Sequence, residues 1–173
     1  VLFPKLPSSL VGPGAEILLP EIVESYEFEE PRTDHEAELA VIIGLGGKKI
    51  PEAHALEHIY GFTCANDVSQ RNIQNGDRSG WFRGKSFDTF CPVGPVVVPV
   101  SELPNVQDLQ VTCRVNGEVR QEGRTSQMIF TLPEIIAFVS RNFTLEEGDL
   151  ILTGTPSGVA PIHEGDVVEV EIE

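Results

Sequence analysis

Short runs of β-branched and apolar residues, broken every few positions by glycine or proline, set the pattern of this chain. Seven runs read as strands: Leu39 to Ile43, Gly61 to Ala65, Pro95 to Val98, Leu109 to Val115, Glu118 to Arg120, Leu150 to Thr153 and Val167 to Ile172. Asn116-Gly117 separates two of them, and both residues tolerate positive φ, so the spacing predicts a type I′ hairpin there. Helical periodicity is rare. Pro51 to Ile59 has room for a short helix with Pro51 near its first turn, and Thr131-Leu132-Pro133-Glu134 forms a capping box ahead of Ile135, Ile136, Phe138 and Val139. The remainder is punctuated into turns by 16 Gly and 13 Pro. The sum is a mainly β chain, a mixed sandwich or roll with roughly two short helices.

Length and charge narrow the picture. At 173 residues, 40% of them hydrophobic, the chain is long enough for one domain spanning 1–173 and too short to expect two. With 12 Lys plus Arg against 27 Asp plus Glu, the net charge of -15 argues against nucleic acid or an anionic membrane as partner. A small molecule held through a metal fits better. The run from Glu16 through Glu38 contains only Arg32 as a basic residue, and Glu21 through Glu30 read as solvated surface. Cys64, Cys91 and Cys113 are far apart and lack any Cys-x-x-Cys spacing, so they read as reduced core residues of a cytoplasmic protein. No apolar run approaches ~20 residues and no charged-then-apolar leader is present, so neither a membrane span nor a secretion signal is expected. Val1 and the unfinished strand at Val167 to Glu173 lead us to expect further segments at both ends.

The strongest chemical signal is Asp34-His35-Glu36-Ala37-Glu38-Leu39-Ala40-Val41. In an extended chain Glu36 and Glu38 point the same way, which crowds two like charges at the mouth of an apolar strand. One carboxylate must protonate or a cation must sit between them. The alternative is a solvated strand edge carrying acidic residues against aggregation. Asp67 ends the apolar run Gly61 to Ala65 and offers a third oxygen donor, though it would equally cap a turn at Ser69. Three carboxylates without a suitably spaced soft ligand favour a hard ion such as Mg²⁺ or Mn²⁺.

Other segments need weighing against that centre. Lys85 sits among glycines and aromatics in Gly80-Trp81-Phe82-Arg83-Gly84-Lys85-Ser86-Phe87, where a desolvated ammonium needs facing anions. Gly80 and Gly84 are separated by three residues where a phosphate loop needs four, so nucleotide binding is rejected. His54-Ala55-Leu56-Glu57-His58 matches a zinc-peptidase pattern, but as a short amphipathic segment it reads as surface histidines. His35 would face away from Glu36, and His163 falls in a late loop. The turn Thr153-Gly154-Thr155-Pro156-Ser157 exposes N–H groups and hydroxyls suited to a carboxylate or enolate oxygen, or is a plain tight turn.

Taken in order, Phe3-Pro4-Lys5, Glu36-x-Glu38-Leu39-Ala40-Val41, Asn66-Asp67-Val68-Ser69-x-Arg71, Lys85-Ser86-Phe87-Asp88-Thr89, Val115-Asn116-Gly117-Glu118 and Leu152-Thr153-Gly154-Thr155-Pro156 resemble the fumarylacetoacetate hydrolase family along nearly the whole chain. The resemblance implies a β roll of the family's type, most often dimeric, with Glu36, Glu38 and Asp67 holding Mg²⁺, or Mn²⁺ or Ca²⁺. It also implies that Gln74, Lys85, Thr89 and Thr155 line the substrate or metal site, with Lys85 and Thr155 catalytic. The implied substrate is a small 2-oxo acid handled through a metal-stabilised enolate. Hydrolysis of a C–C bond or decarboxylation of an acylpyruvate- or oxaloacetate-like compound is expected first, and isomerisation of 2-hydroxyhepta-2,4-diene-1,7-dioate is the alternative. The family's His and Glu acid/base pair is expected upstream of the Phe-x-Lys motif, outside this chain. A non-catalytic metal- or carboxylate-binding protein on the same fold is the rival of another class.

Overall fold

Ten strands arrange into three sheets among the described residues, which are all of 1–173 in this computed structural model except Asp77, Ser79 and Gly80. Gly80, the first glycine of the phosphate-loop comparison, therefore lies outside the described residues. The strands are β1 (Leu10–Val11), β2 (Thr33–Asp34), β3 (Ala37–Ile43), β4 (Ile59–Asn66), β5 (Ser69–Gln70), β6 (Cys91–Pro99), β7 (Gln110–Val115), β8 (Glu118–Arg124), β9 (Leu150–Leu152) and β10 (Val168–Ile172). A five-stranded sheet has the order β1-β6-β4-β3-β9, a three-stranded sheet the order β10-β7-β8, and β2 pairs with β5. Among the described residues only the β1 to β6 pairing is parallel.

Strand β3 has two unlike faces because side chains alternate along it. Ala37, Leu39, Val41 and Ile43 are all buried on one face. Leu39, Val41 and Ile43 join Phe62, Leu109, Leu132 and Ile136 in the largest core cluster, while Ala37 packs with Val111 and Cys113 of β7. The opposite face carries Glu38, in line with Glu36 just before the strand. Burial of the apolar face therefore fixes where the carboxylates point. A one-residue slip of β3 would bury both glutamates in the core, so the register is strongly specified.

Helix α3 (Leu132–Asn142) forms where the capping box stands: Thr131 N donates to Glu134 Oε2 at 2.7 Å, and Glu134 N donates to Thr131 Oγ1 at 3.4 Å. It buries Leu132, Ile136, Ala137 and Val139. The hairpin turn is as expected, with φ of 53° at Asn116 and 80° at Gly117. Pro51 to Ile59 differs in kind, since Glu52–His58 is a 3₁₀ segment rather than an α-helix. Strand β6 runs well beyond Pro95 to Val98. Pro95 and Pro99 lie beyond Cys91 and Pro92, the two residues that β1 pairs, so β1 makes no ladder bonds at their positions.

Two short helices, α1 (Arg71–Gly76) and α2 (Trp81–Lys85), lay outside the periodicity reading. They cross at Gly84, where an added Cβ would lie 2.7 Å from Gln74 N and 2.8 Å from Gln70 O. Both neighbours are backbone and cannot yield cheaply. Gly84→Ala is expected to cost about 1–3 kcal/mol through overpacking. Urea unfolding of that variant is the measurement, and an unchanged midpoint would contradict the contact.

Candidate metal centre

Two strand ends are stapled together at the start of β3. Asp67 N donates to Glu36 O at 2.8 Å, and Glu36 N donates to the side-chain Oδ1 of Asn66 at 2.9 Å. With Ala37 opposite Asn66 in the register, Asp67 is brought beside Glu36 and Glu38. One carboxylate oxygen from each of the three lies within 4.8 Å of the others, and all three residues are buried. Ser69 Oγ donates to the backbone oxygen of Asp67 at 2.9 Å, so that turn is closed without using the Asp67 carboxylate.

Cations ring two of the three acids. Lys85, whose side chain is 2% exposed, places Nζ 2.7 Å from both Glu36 Oε2 and Asp67 Oδ2. Arg71 Nη2 donates to Glu36 Oε1, its Nε to Asp34 Oδ2 at 2.7 Å, and its Nη1 to Gln74 Oε1 at 2.8 Å. Lys5 Nζ donates to Asp67 Oδ1 at 2.6 Å and to the carbonyl oxygen of Lys85. The desolvated Lys85 thus has the anions that the sequence demanded. Arg71 and Lys5 stood within the family-like motifs without an assigned role. Asp34, fully buried between Arg32 and Arg71, was equally unassigned.

Glu38 is different. Among the described residues it forms no salt bridge, and its Oε2 accepts one bond, from Gly154 N at 2.6 Å. Gly154 adopts φ of 104°, a conformation few other residues take, and so aims its N–H at the carboxylate. Burial, reinforced by the charge of Asp67 and then of Glu36 and opposed by that bond, pushes the Glu38 carboxyl up to about 8. An ion among the three carboxylates would relieve this cost. The donors are all hard oxygens, and the nearby Cys91 thiol is pushed up to about 11, chiefly by burial, so it stays protonated. This set fits Mg²⁺, Mn²⁺ or Ca²⁺ better than zinc.

The remaining sequence-singled residues lie at varying remove. Thr155 Oγ1 donates to Ala37 O at 2.7 Å and accepts from Gln121 Nε2 at 2.7 Å, which ties the Gly154 turn to the backbone between the two glutamates. Gln74 is buried and reaches the acids through Arg71. Thr89 Oγ1 accepts from Leu18 N at 2.8 Å and has no bond to the cluster among the described residues. His35 is turned away, its Nδ1 2.9 Å from Gln121 Oε1 and 3.4 Å from Cys113 Sγ, and burial lowers its pKa. His54 pairs with Glu57 and His163 with Asp166 at exposed positions, and the half-buried His58 lies against the Leu45 carbonyl. Beside Arg71 opens a cleft of about 560 Å³ lined by Phe28, Glu29, Glu30, Arg32, Asn72 and Asn75.

A curled β architecture sets three buried carboxylates at one strand mouth, edged by lysine and arginine, an arrangement that could hold a hard cation beside a small anion. The family model for the fumarylacetoacetate (FAA) hydrolase C-terminal region matches residues 1–173, and the chain belongs to that family. It is 45% identical over 182 residues to the mitochondrial oxaloacetate tautomerase FAHD2A of Bos taurus, covering all of this chain and 55% of that protein. Its fold superimposes on the 2-hydroxyhepta-2,4-diene-1,7-dioate isomerase of Mycobacterium marinum with a TM-score of 0.90 at 43% identity, covering 100% of this chain and 62% of the other. Maleylpyruvate hydrolase from Sphingobium sp. SYK-6, solved in complex with manganese(II) and pyruvate, is similar with a TM-score of 0.87 at 32% identity, over 99% of this chain and 60% of that one. The chain thus spans between half and two thirds of these proteins.

Asp67→Asn should weaken Mn²⁺ binding by at least about 100-fold, since it removes a charged ligand rather than an outer partner. Titration followed by the electron paramagnetic signal of free Mn²⁺ tests this, and undiminished affinity would exclude Asp67 as a ligand. Glu38 gives a pH signature. Unfolded, its carboxyl ionises near 4.5; folded and metal-free, near 8, so between these values the folded state holds a proton that the unfolded state has lost. Metal-free protein should therefore lose stability as pH rises through that window, and Glu38→Gln should flatten the slope. Parallel denaturation curves for the two proteins at pH 5.5 and 8.5 would refute it.

Proposed function

We propose that this chain is the metal-holding catalytic domain of an enzyme that acts on a small 2-oxo acid through its enolate. The observation that carries this reading is Glu38, a buried carboxylate without a cationic partner among the described residues, within reach of Glu36 and Asp67. Mg²⁺ is the proposed ion, with Mn²⁺ and Ca²⁺ as substitutes, and when bound it supplies Lewis-acid stabilisation of negative charge developing on the 2-oxo oxygen.

The protein's own groups would do the rest. Lys85 would lend positive charge to the same oxygen while keeping Glu36 and Asp67 in place. Gly154 N–H would fix Glu38, and Thr155 would hold that turn rigid through its bond to Ala37. Arg71, oriented by the buried Asp34, is proposed to meet a substrate carboxylate, with Gln74 steadying its guanidinium. Arg32 at the rim of the adjoining cleft favours a substrate with a second carboxylate. Thr89 would act indirectly, by anchoring the segment at Leu18. Among the described residues, no imidazole bonds the three carboxylates.

Interconversion of the keto and enol forms of oxaloacetate is the reaction we favour, because tautomerases of that substrate are among the relatives. Decarboxylation or C–C hydrolysis of the same compound class, and isomerisation of a hydroxydienedioate, use the same enolate and differ in who moves the proton and whether water attacks. We further infer a homodimer in a reducing, cytoplasm-like compartment; the three free cysteines support the compartment, and exposed Ile129 and Phe130 suit a subunit contact. No described helix is long and apolar enough to cross a membrane.

Incubation of the full-length protein with Mg²⁺ and, separately, oxaloacetate, an acylpyruvate and a hydroxydienedioate, each followed by absorbance, tests the reading. Conversion of at least one is expected; Mn²⁺ binding without turnover of any would favour the non-catalytic binder instead. Lys85→Met should lower kcat by about 100-fold or more while leaving Mn²⁺ affinity equal or tighter. The opposite ranking would make Lys85 a scaffold for the ligands and not a stabiliser of the enolate.

A further inference from the structure

Lys5 is the group the mechanism leaves unused. It belongs to the Phe3-Pro4-Lys5 stretch; its side chain is 11% exposed and its ammonium bonds Asp67 Oδ1 at 2.6 Å. The stretch is held down over the centre. Phe3 packs on Trp81 with ring centroids 5.4 Å apart, Lys85 Nζ lies 5.3 Å from the Phe3 ring centre, and Leu6 N donates to Ser86 Oγ at 3.3 Å. A buried ammonium next to a proposed cation site is a cost unless something offsets it.

The charge balance shows what offsets it. Around the centre, the carboxylates of Asp34, Glu36, Glu38 and Asp67 face the cations of Arg32, Arg71, Lys85 and Lys5. With Glu38 ionised by a bound divalent ion, these four carboxylates offset the four cations among the described residues, and the two positive charges of the ion are left unmatched. Two negative charges at the chelating end of the ligand cancel them, as in oxalate or in a 2-oxo acid whose adjacent carboxylate and enolate oxygens both face the ion. Without Lys5 the surplus falls to one, which matches the keto form, whose chelating end carries the charge of its carboxylate alone.

Resting on the metal reading above, we infer that Lys5 is a specificity-determining residue: its charge makes the metal-loaded centre prefer a dianion over a monoanion. It contributes this without being a metal ligand, through Asp67, and it selects for the charge that appears as the enolate forms.

The test uses the whole chain loaded with Mn²⁺ and two probes, oxalate as a planar dianion and pyruvate as a monoanion, titrated by calorimetry. Lys5→Met should bind Mn²⁺ as tightly as the unaltered protein or more tightly, since a like charge is gone. It should lose about tenfold in oxalate affinity and under about threefold in pyruvate affinity, the scale of one charge a few ångströms away in a partly screened site. Lys5→Arg should recover the oxalate preference. Lys5→Gln keeps a donor for Asp67 and for the Lys85 carbonyl without the charge, so it should behave as Lys5→Met does; far-UV circular dichroism and the emission of Trp81, the sole tryptophan, report whether each variant keeps its fold and its N-terminal docking. Equal losses for the two probes, or an oxalate preference kept in Lys5→Gln, would overturn the inference. Failure of the unaltered protein to take up Mn²⁺ is a separate outcome that removes the metal reading and this inference with it.

Discussion

Burying three carboxylates at one strand mouth is the constraint on which the rest of this molecule turns. Like charges that close cannot all stay ionised in a medium that screens poorly. The chain meets the difficulty in two ways: Lys85, Arg71 and Lys5 neutralise Glu36 and Asp67, while Glu38 is left with a backbone N–H. Each solution recruits a different part of the fold. The cations come from α1, α2 and the N-terminal stretch, and the N–H comes from the turn after β9. Elements far apart in sequence are thus drawn to one end of β3 by electrostatics, while the apolar face of the same strand anchors them to the core.

Much of this was legible because two periodicities do not interfere. The alternation in β3 announces both a core face and a polar face, and the paired glutamates are visible on the latter without any coordinates. The β content, the hairpin at Asn116-Gly117 and the capped helix at Thr131 follow from local rules that depend on a few neighbouring residues. Lys85 could be anticipated as a buried cation seeking anions, since glycine and aromatic neighbours supply no solvent.

Less was legible where tertiary contact decides. Helices α1 and α2 are too short for a periodic signal, and they exist because Gly84 lets their backbones touch. Arg71 is an ordinary surface residue by composition; its role comes from Asp34, which the β2 to β5 pairing sets beside it. Thr89 shows the same dependence: its hydroxyl accepts from Leu18 N, a partner that its motif does not specify. Family likeness located the neighbourhood, and only packing could say which atoms face the centre.

On the proposed function, one centre would serve reactions with different names by addressing their shared intermediate. Relatives and neighbours of this chain are described as tautomerases, isomerases and hydrolases, with identities from 32% to 45%. An enolate of a 2-oxo acid requires positive potential at two adjacent oxygens, and carboxylates holding a dication beside lysine and arginine supply it whatever bond is next to form or break. The proton relay is a separate requirement, and no described imidazole here reaches the acids. Scaffold and relay can then diverge independently: changes in the groups that carry the proton would redirect the reaction, whereas changes in Glu36, Glu38 or Asp67 would abolish every branch of it. A shared scaffold with a separately varying relay would leave the fold unchanged while the reaction changes, and this chain matches neighbours of different named reactions at TM-scores of 0.87 to 0.90.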